Sequence, residues 1–254
     1  MSGEFLKHKS KILLIGGSGT LGSAILKSSF FYKQIIFPKK NKLNLLNKKQ
    51  IKKYLNQNFD IILNCSGFPR IRLCEENKSK SFKLNVKTTK NLVNEIYFQK
   101  KNNNKIIKLI QISSDAVYSC LNGKYKETSK CNPKTYYGYC KLRSENICKK
   151  LSNFLIIRTR FFDKKKFIYN DAATDIYSSM IEVNELVKLI YLLLKKNING
   201  IINVGGKRNS DYNIIRKYKK RIKKTSRRLI LKESKIFITK DSSMDLKKLN
   251  KIIC

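Results

Sequence analysis

The segment Lys11–Gly22, KILLIGGSGTLG, constrains the fold more than any other stretch of this 254-residue chain. Four apolar residues, Ile12–Ile15, run directly into a glycine-rich turn, after which Leu21, Ala24, Ile25 and Leu26 begin a helical pattern. A short unbroken apolar run ahead of glycines predicts a strand buried on both faces of a parallel sheet. Gly16, Gly19 and Gly22 form G-x-x-G-x-x-G at that strand-to-helix turn. Dinucleotide binding needs this combination: a tight turn, close approach of backbone to a pyrophosphate, and a helix N-terminus aimed at negative charge.

The pattern repeats along the chain. Apolar runs at Ile35–Phe37, Ile61–Asn64, Ile106–Ile112, Phe154–Ile157 and Gly200–Val204 alternate with helical patterns at Lys48–Leu55, Ser81–Gln99, Tyr136–Lys150 and Ile181–Lys195. Alternating strand and helix predicts an α/β fold with a doubly wound, Rossmann-like parallel sheet. The longest apolar run, near Leu186–Leu194, is too short for a membrane span and is broken by Lys188. Met1–Ser10 does not read as a signal peptide, so no membrane partner and a cytoplasmic location are expected.

Charge is the other conspicuous feature: 56 basic against 17 acidic residues, a formal net charge of +39. Lys, Ile and Asn fill 103 of the 254 positions, which points to compositional drift toward those residues. Base and phosphate recognition favours Arg over Lys, so no specific nucleic-acid partner is predicted. The charge peaks at Arg216–Arg228, where Ile214, Ile215, Tyr218 and Ile222 recur at helical spacing and predict an amphipathic helix. A nucleic-acid binder is the reading of a different class that this charge keeps open.

Seven scattered cysteines lack any Cys-x-x-Cys pair, and the single histidine is His8, so no metal site is expected. Acid–base work then falls to Tyr, Lys or carboxylates. Tyr137 and Lys141 in YGYCK stand four apart, which on a helix puts both on one face. An ammonium beside a phenol favours phenolate and is expected to lower the Tyr137 pKa from about 10. With 13 Tyr and so many Lys the spacing recurs by chance, so its weight comes from its neighbours. Upstream, LIQISSDAVY is an apolar strand ending in Ser113, Ser114 and Asp115, and doubly wound sheets place ligands at such strand ends. At the end of the second strand stand Pro38, Lys39 and Lys40 and no acid, which favours NADPH over NADH because a cation accommodates a 2′-phosphate.

In this order GGSGTLG, DIILNCSG, ISSDAVY and YGYCK resemble the extended short-chain dehydrogenase/reductases that act on nucleotide sugars. Within that superfamily the chain is most similar to the dTDP-4-dehydrorhamnose reductase group, a likeness carried further by LNLLNKKQIKKYL, CEEN, KLNVKTTKNLV, INVGGKRNSDYNIIRK and DSSMDLKKL. It covers about residues 11–254 and is densest up to Arg160. The resemblance implies that Gly16, Gly19, Thr20, Leu21 and Gly22 hold the pyrophosphate and that Asn44 and Leu45 meet adenine. It places Ser66, Gly67 and Phe68 along the nicotinamide ribose. Ser114 would hydrogen-bond the reacting oxygen, Tyr137 would protonate it, and Lys141 would hold the ribose hydroxyls. Asp115 and Phe161 would face the substrate.

Asn44 stands where the group usually has Asp, and Pro69 and Arg72 replace residues of a polar stretch near the substrate. Only Phe162–Ser179 precedes Ile181, where the family usually places a longer helical segment. The division expected is therefore a dinucleotide domain over 1–160, rejoined by 196–206, and a reduced substrate lobe over 161–254. The implied activity is NAD(P)H-dependent reduction of an anionic 4-keto nucleotide sugar, with a homodimer as the expected assembly. An epimerase or dehydratase of the same superfamily, or a non-catalytic dinucleotide-binding regulator, stands beside it.

Overall fold

The computed structural model describes residues 10–31, 34–166 and 170–254; His8 and most of Met1–Ser10 lie outside them. Its centre is a six-stranded sheet of β1 (Ile12–Ile15), β2 (Ile35–Ile36), β3 (Ile61–Asn64), β4 (Lys108–Ile112), β5 (Phe154–Thr159) and β6 (Gly200–Val204). Every pairing is parallel, in the order β6-β5-β4-β3-β1-β2. The chain steps from β1 outward to β2 and then crosses to the other side of β1 for β3. That reversal opens a crevice at the C-terminal ends of β1 and β3, where open α/β sheets bind ligands.

Strand alternation divides the interior into two cores. Ile12, Leu14, Ile61, Leu63, Ile110, Ile112, Leu155 and Ile157 face one side, with Leu13, Ile15, Ile62, Leu109 and Ile156 on the other. The first core is covered by α1 (Thr20–Lys27) and α5 (Val183–Lys195). The second is covered by α2 (Lys48–Leu55), α3 (Thr88–Asn103) and Cys148 of α4 (Tyr136–Cys148). Buried on both faces, each of these strand Leu and Ile side chains contributes about 1.5–3 kcal/mol of apolar transfer. The apolar run Leu186–Leu194 is the inward stripe of α5, where Leu186, Val187, Ile190, Leu193 and Leu194 are buried. Among the described residues no helix is long and apolar enough to cross a membrane.

Two local expectations change. The helical pattern at Ser81–Gln99 is not one regular helix: a helix at Lys78–Phe82 and α3 are joined by a π turn at Lys83–Lys87. Such turns re-aim side chains inside helices, and here Asn85 turns toward the end of β3. The amphipathic helix expected around Arg216–Arg228 is also absent. A helix at Asp211–Arg216 stops there, Lys223–Thr225 is a strand parallel to Asp171–Ala173, and a second helix covers Arg227–Glu233. Ile214, Ile215 and Ile222 are buried as the spacing implied, but Tyr218 is 41% exposed. The helical spacing came from a helix and from the loop before a strand, whose Ile215 and Ile222 close one small core with Ala172 and Tyr212.

Candidate active site

The glycine turn lies where the crevice opens. Gly16 has φ +84°, a left-handed conformation, and a Cβ there would sit 2.7 Å from the Ser66 amide nitrogen at the end of β3. Only glycine meets both demands. Gly19 begins α1 without offering a side-chain cap, so the N–H groups of the first turn, at Thr20, Leu21 and Gly22, have no capping acceptor and suit a phosphate. Leu21 and Gly22 are buried and Thr20 is half-buried. Gly16→Ala is expected to impose about 1–3 kcal/mol of strain and to weaken dinucleotide binding about tenfold or more, read by calorimetric titration, with the far-UV spectrum retained.

The Phe37 ring lies against Gly17, which brings the end of β2 beside the turn. Lys39 and Lys40 follow it and are exposed. Asn44 is exposed, its side-chain oxygen accepting from the Leu46 amide at 3.0 Å, while Leu45 is buried in the second core. Across the crevice, the Asn64 side chain accepts from both the amide and the hydroxyl of Ser66, at 3.1 and 2.6 Å. Gly67 follows, and Asn85 then clamps Phe68: its Oδ1 accepts from the Phe68 amide at 2.8 Å and its Nδ2 donates to the Phe68 carbonyl at 3.2 Å.

The chain leaves β4 through Ser113 and Ser114 into a single 3-10 turn, Asp115–Val117. Ser114 caps this turn, its Oγ accepting from the Ala116 amide at 3.1 Å and donating to Asp115 Oδ1 at 3.0 Å. Thr135 caps α4 by accepting from the Gly138 amide at 3.1 Å. Gly138 presses on the turn so closely that a Cβ would lie 2.1 Å from the Ala116 carbonyl oxygen. This contact places Tyr137 beside the turn, where Ser114 and Asp115 act on its phenol. Lys141 is buried, and its Nζ donates to the Ile112 carbonyl at 2.5 Å.

The electrostatics correct one expectation. Tyr137 is shifted above the ordinary phenol value, not below it, by burial and by the nearby Asp115 charge, against the Ser114 hydrogen bond. Lys141 does not lower it, because its ammonium is drawn to the end of β4, where burial depresses its own pKa and the Glu145 charge raises it. Tyr137 is thus a neutral phenol at physiological pH, a proton donor. Asp115 is also raised, chiefly by burial, with Arg160 and hydrogen bonds from Ser242 and Ser114 acting the other way. Arg160 reaches Asp211 at 3.3 Å and Ser242 at 3.5 Å, so segments beyond β5 roof Asp115. Phe161 is half-buried and packs against the first core.

Behind the site lies a network that the motifs did not reveal. Glu145 Oε1 accepts from Ser113 at 2.5 Å, and Arg158 grips the same carboxylate through Nε and Nη2, at 3.0 and 2.7 Å. Arg158 also donates to the Tyr118 hydroxyl at 2.8 Å, and that hydroxyl donates to Asn203 Oδ1 at 2.9 Å. The signal was present in the sequence: an arginine inside the apolar strand FLIIRT requires a buried acceptor. Among the described residues no three His, Cys, Asp or Glu side chains gather to hold a metal ion.

Comparison with known proteins decides the family. The profile described as RmlD substrate binding domain matches residues 10–185, more than two thirds of the chain. The chain belongs to this family. Solved structures resemble this RmlD-family chain over almost its whole length. A hypothetical dTDP-4-dehydrorhamnose reductase from Sulfolobus tokodaii is 26% identical with a TM-score of 0.81, covering 95% of this chain and 94% of that one. The dTDP-4-dehydrorhamnose reductase of Bacillus anthracis in complex with NADP is 18% identical, TM-score 0.82, with coverage of 96% and 92%. A dTDP-glucose 4,6-dehydratase from Streptomyces venezuelae, with NAD bound, is 14% identical, TM-score 0.73, with coverage of 95% and 90%. No curated protein sequence matches the chain.

Proposed function

We propose that this RmlD-family chain is an NADPH-linked reductase of a 4-keto nucleotide sugar, of the dTDP-4-dehydrorhamnose reductase type. One observation carries the reading: Ser114, Tyr137 and Lys141 are gathered at the strand ends beside a glycine turn built to take a pyrophosphate. The residues fit a nicotinamide dinucleotide, with Gly16–Gly22 for the pyrophosphate, Lys39 and Lys40 for a 2′-phosphate, and Ser66–Phe68 along the nicotinamide ribose. Bound there, the dinucleotide supplies a hydride to the carbonyl carbon of the substrate.

Everything else falls to the protein. Tyr137, held neutral by burial, gives its proton to the carbonyl oxygen as negative charge develops on it. Ser114 Oγ is placed to turn its hydrogen bond from Asp115 to that oxygen and fix its position. Lys141 is placed to hold the ribose hydroxyls. Asp115, beneath the lobe residues Arg160 and Ser242, meets the sugar hydroxyls, and Phe161 borders the same space. The pyrophosphate of the substrate is anionic, and the basic surroundings favour its capture. A homodimer in the cytoplasm belongs to the same reading.

Two measurements test it. Purified protein is expected to oxidise NADPH when given dTDP-4-dehydrorhamnose; no oxidation at any enzyme level overturns the substrate. Lys39→Glu with Lys40→Glu is expected to lower the NADPH-over-NADH ratio of kcat/KM about tenfold or more by placing like charge against a 2′-phosphate. An unchanged ratio removes the two lysines from cofactor choice.

A further inference from the structure

Drift toward lysine explains a basic surface, but it does not explain where the arginines are. The chain has ten, and five of them, Arg208, Arg216, Arg221, Arg227 and Arg228, fall within 208–228. Two of these five, Arg227 and Arg228, line one cavity. It measures about 700 Å³ and is walled by Asp175, Tyr177, Arg227, Arg228, Leu231, Lys232 and Lys240. Arg208 lies over the ring of Tyr177, its guanidinium 4.0 Å from the ring centre.

Some arginines outside the cavity are neutralised. Arg72, Arg158, Arg160 and Arg208 each pair with a carboxylate. Among the described residues Arg227, Arg228, Lys232 and Lys240 form no ion pair with one. Arg227 is nevertheless fixed, its amide held by Asp175 at 2.7 Å and its guanidinium by the carbonyls of Ile238 and Thr239, each at 3.0 Å. These bonds anchor the side chain without neutralising it. The lining therefore carries four positive charges against the single carboxylate of Asp175.

The cavity is not the catalytic crevice seen from outside. Ser178 donates to Asp211 at 3.0 Å, and Asp211 reaches Arg160 beside Asp115, so the Ser178 side chain points toward the active site. Tyr177 is its neighbour in the same short strand and projects from the opposite face. The cavity lies on that opposite face.

We infer that this cavity binds a nucleoside diphosphate at a second site outside the catalytic crevice. The volume suits a ligand of nucleotide size and far exceeds an inorganic ion. Uncompensated guanidinium and ammonium groups suit a pyrophosphate. Tyr177, with one face taken by Arg208, and Leu231, 39% exposed, give an apolar surface for a base or sugar.

The test is calorimetric titration of the full chain with dTDP in saturating NADP+. Wild type is compared with Arg228→Glu/Lys232→Glu, and with Lys52→Glu/Lys53→Glu on α2 as a charge-matched control. The inference requires that the first variant lose one dTDP equivalent, or bind it about tenfold or more weakly, while the control keeps it. It also requires that KM and kcat for the nucleotide sugar stay unchanged. If all three proteins bind alike, or the control loses the same equivalent, there is no such site. Loss of the equivalent together with a raised KM overturns the inference by making the cavity part of the catalytic cleft. A chain that turns over no nucleotide sugar at all disproves the reductase reading and leaves the binding comparison intact.

Discussion

Tyr137→Phe is expected to lower kcat by about 10²–10⁴-fold while NADPH binding changes little. The phenol hydroxyl is the only group removed, and the ring remains. Burial and the Asp115 charge hold the phenol protonated, so reduction draws on a donor already in the required state. The pH profile follows from the direction of that shift. A proton donor whose pKa is raised stays competent through neutral pH, so kcat/KM should hold level there and fall only in the alkaline range as the phenol ionises. Stopped-flow NADPH oxidation across pH gives both results. Full activity in the variant assigns the proton to another group, and a fall in rate beginning near neutrality contradicts a raised phenol pKa.

Arg158→Met is expected to destabilise the fold by about 3–5 kcal/mol. Arg158 and Glu145 are 2% and 0% exposed, and their closest approach is 2.7 Å. Burial opposes the charge on Arg158, and the hydrogen bonds and charge of Glu145 more than offset it. Removing one partner strands the other charge in the core, which costs more than the pair contributes. Glu145→Leu is expected to be damaging for the same reason, and it also removes the acceptor for Ser113. The double variant Glu145→Leu/Arg158→Met should then be more stable than the sum of the single changes, because no charge is stranded. Urea titrations of the four proteins yield the coupling energy; strict additivity means that the pair is not interacting.

What the sequence revealed was decided by physics local to a few residues. The strand ILLI and the glycine turn were legible because a doubly buried strand has no polar positions and a left-handed Gly16 tolerates no substitute. Ser114, Tyr137 and Lys141 could be proposed as a set because strand ends and four-residue helical spacing are local features. The direction of the Tyr137 shift was not legible. It depends on which carbonyl Lys141 reaches, and Ile112 lies 29 residues away. Asn85 was hidden for a similar reason, since a π turn in the middle of a helical pattern leaves no mark in the periodicity. At Arg216–Arg228 the periodicity itself misled, because buried isoleucines from a helix and from the loop before a strand fell at helical spacing by coincidence.

Tyr137, Lys141 and Glu145 stand at successive four-residue steps on α4, about 6 Å apart along its axis. Each is tied to a different level beneath: Ser114, the Ile112 carbonyl, and Ser113 with Arg158. The helix therefore works like a key with three teeth. Inserting a single residue between Tyr137 and Glu145 would rotate one tooth about 100° from its neighbours and disengage it. The lysine enrichment that has spread over the rest of the surface has no freedom along this stripe, where the proposed proton donor and a buried ion pair share one rigid rod.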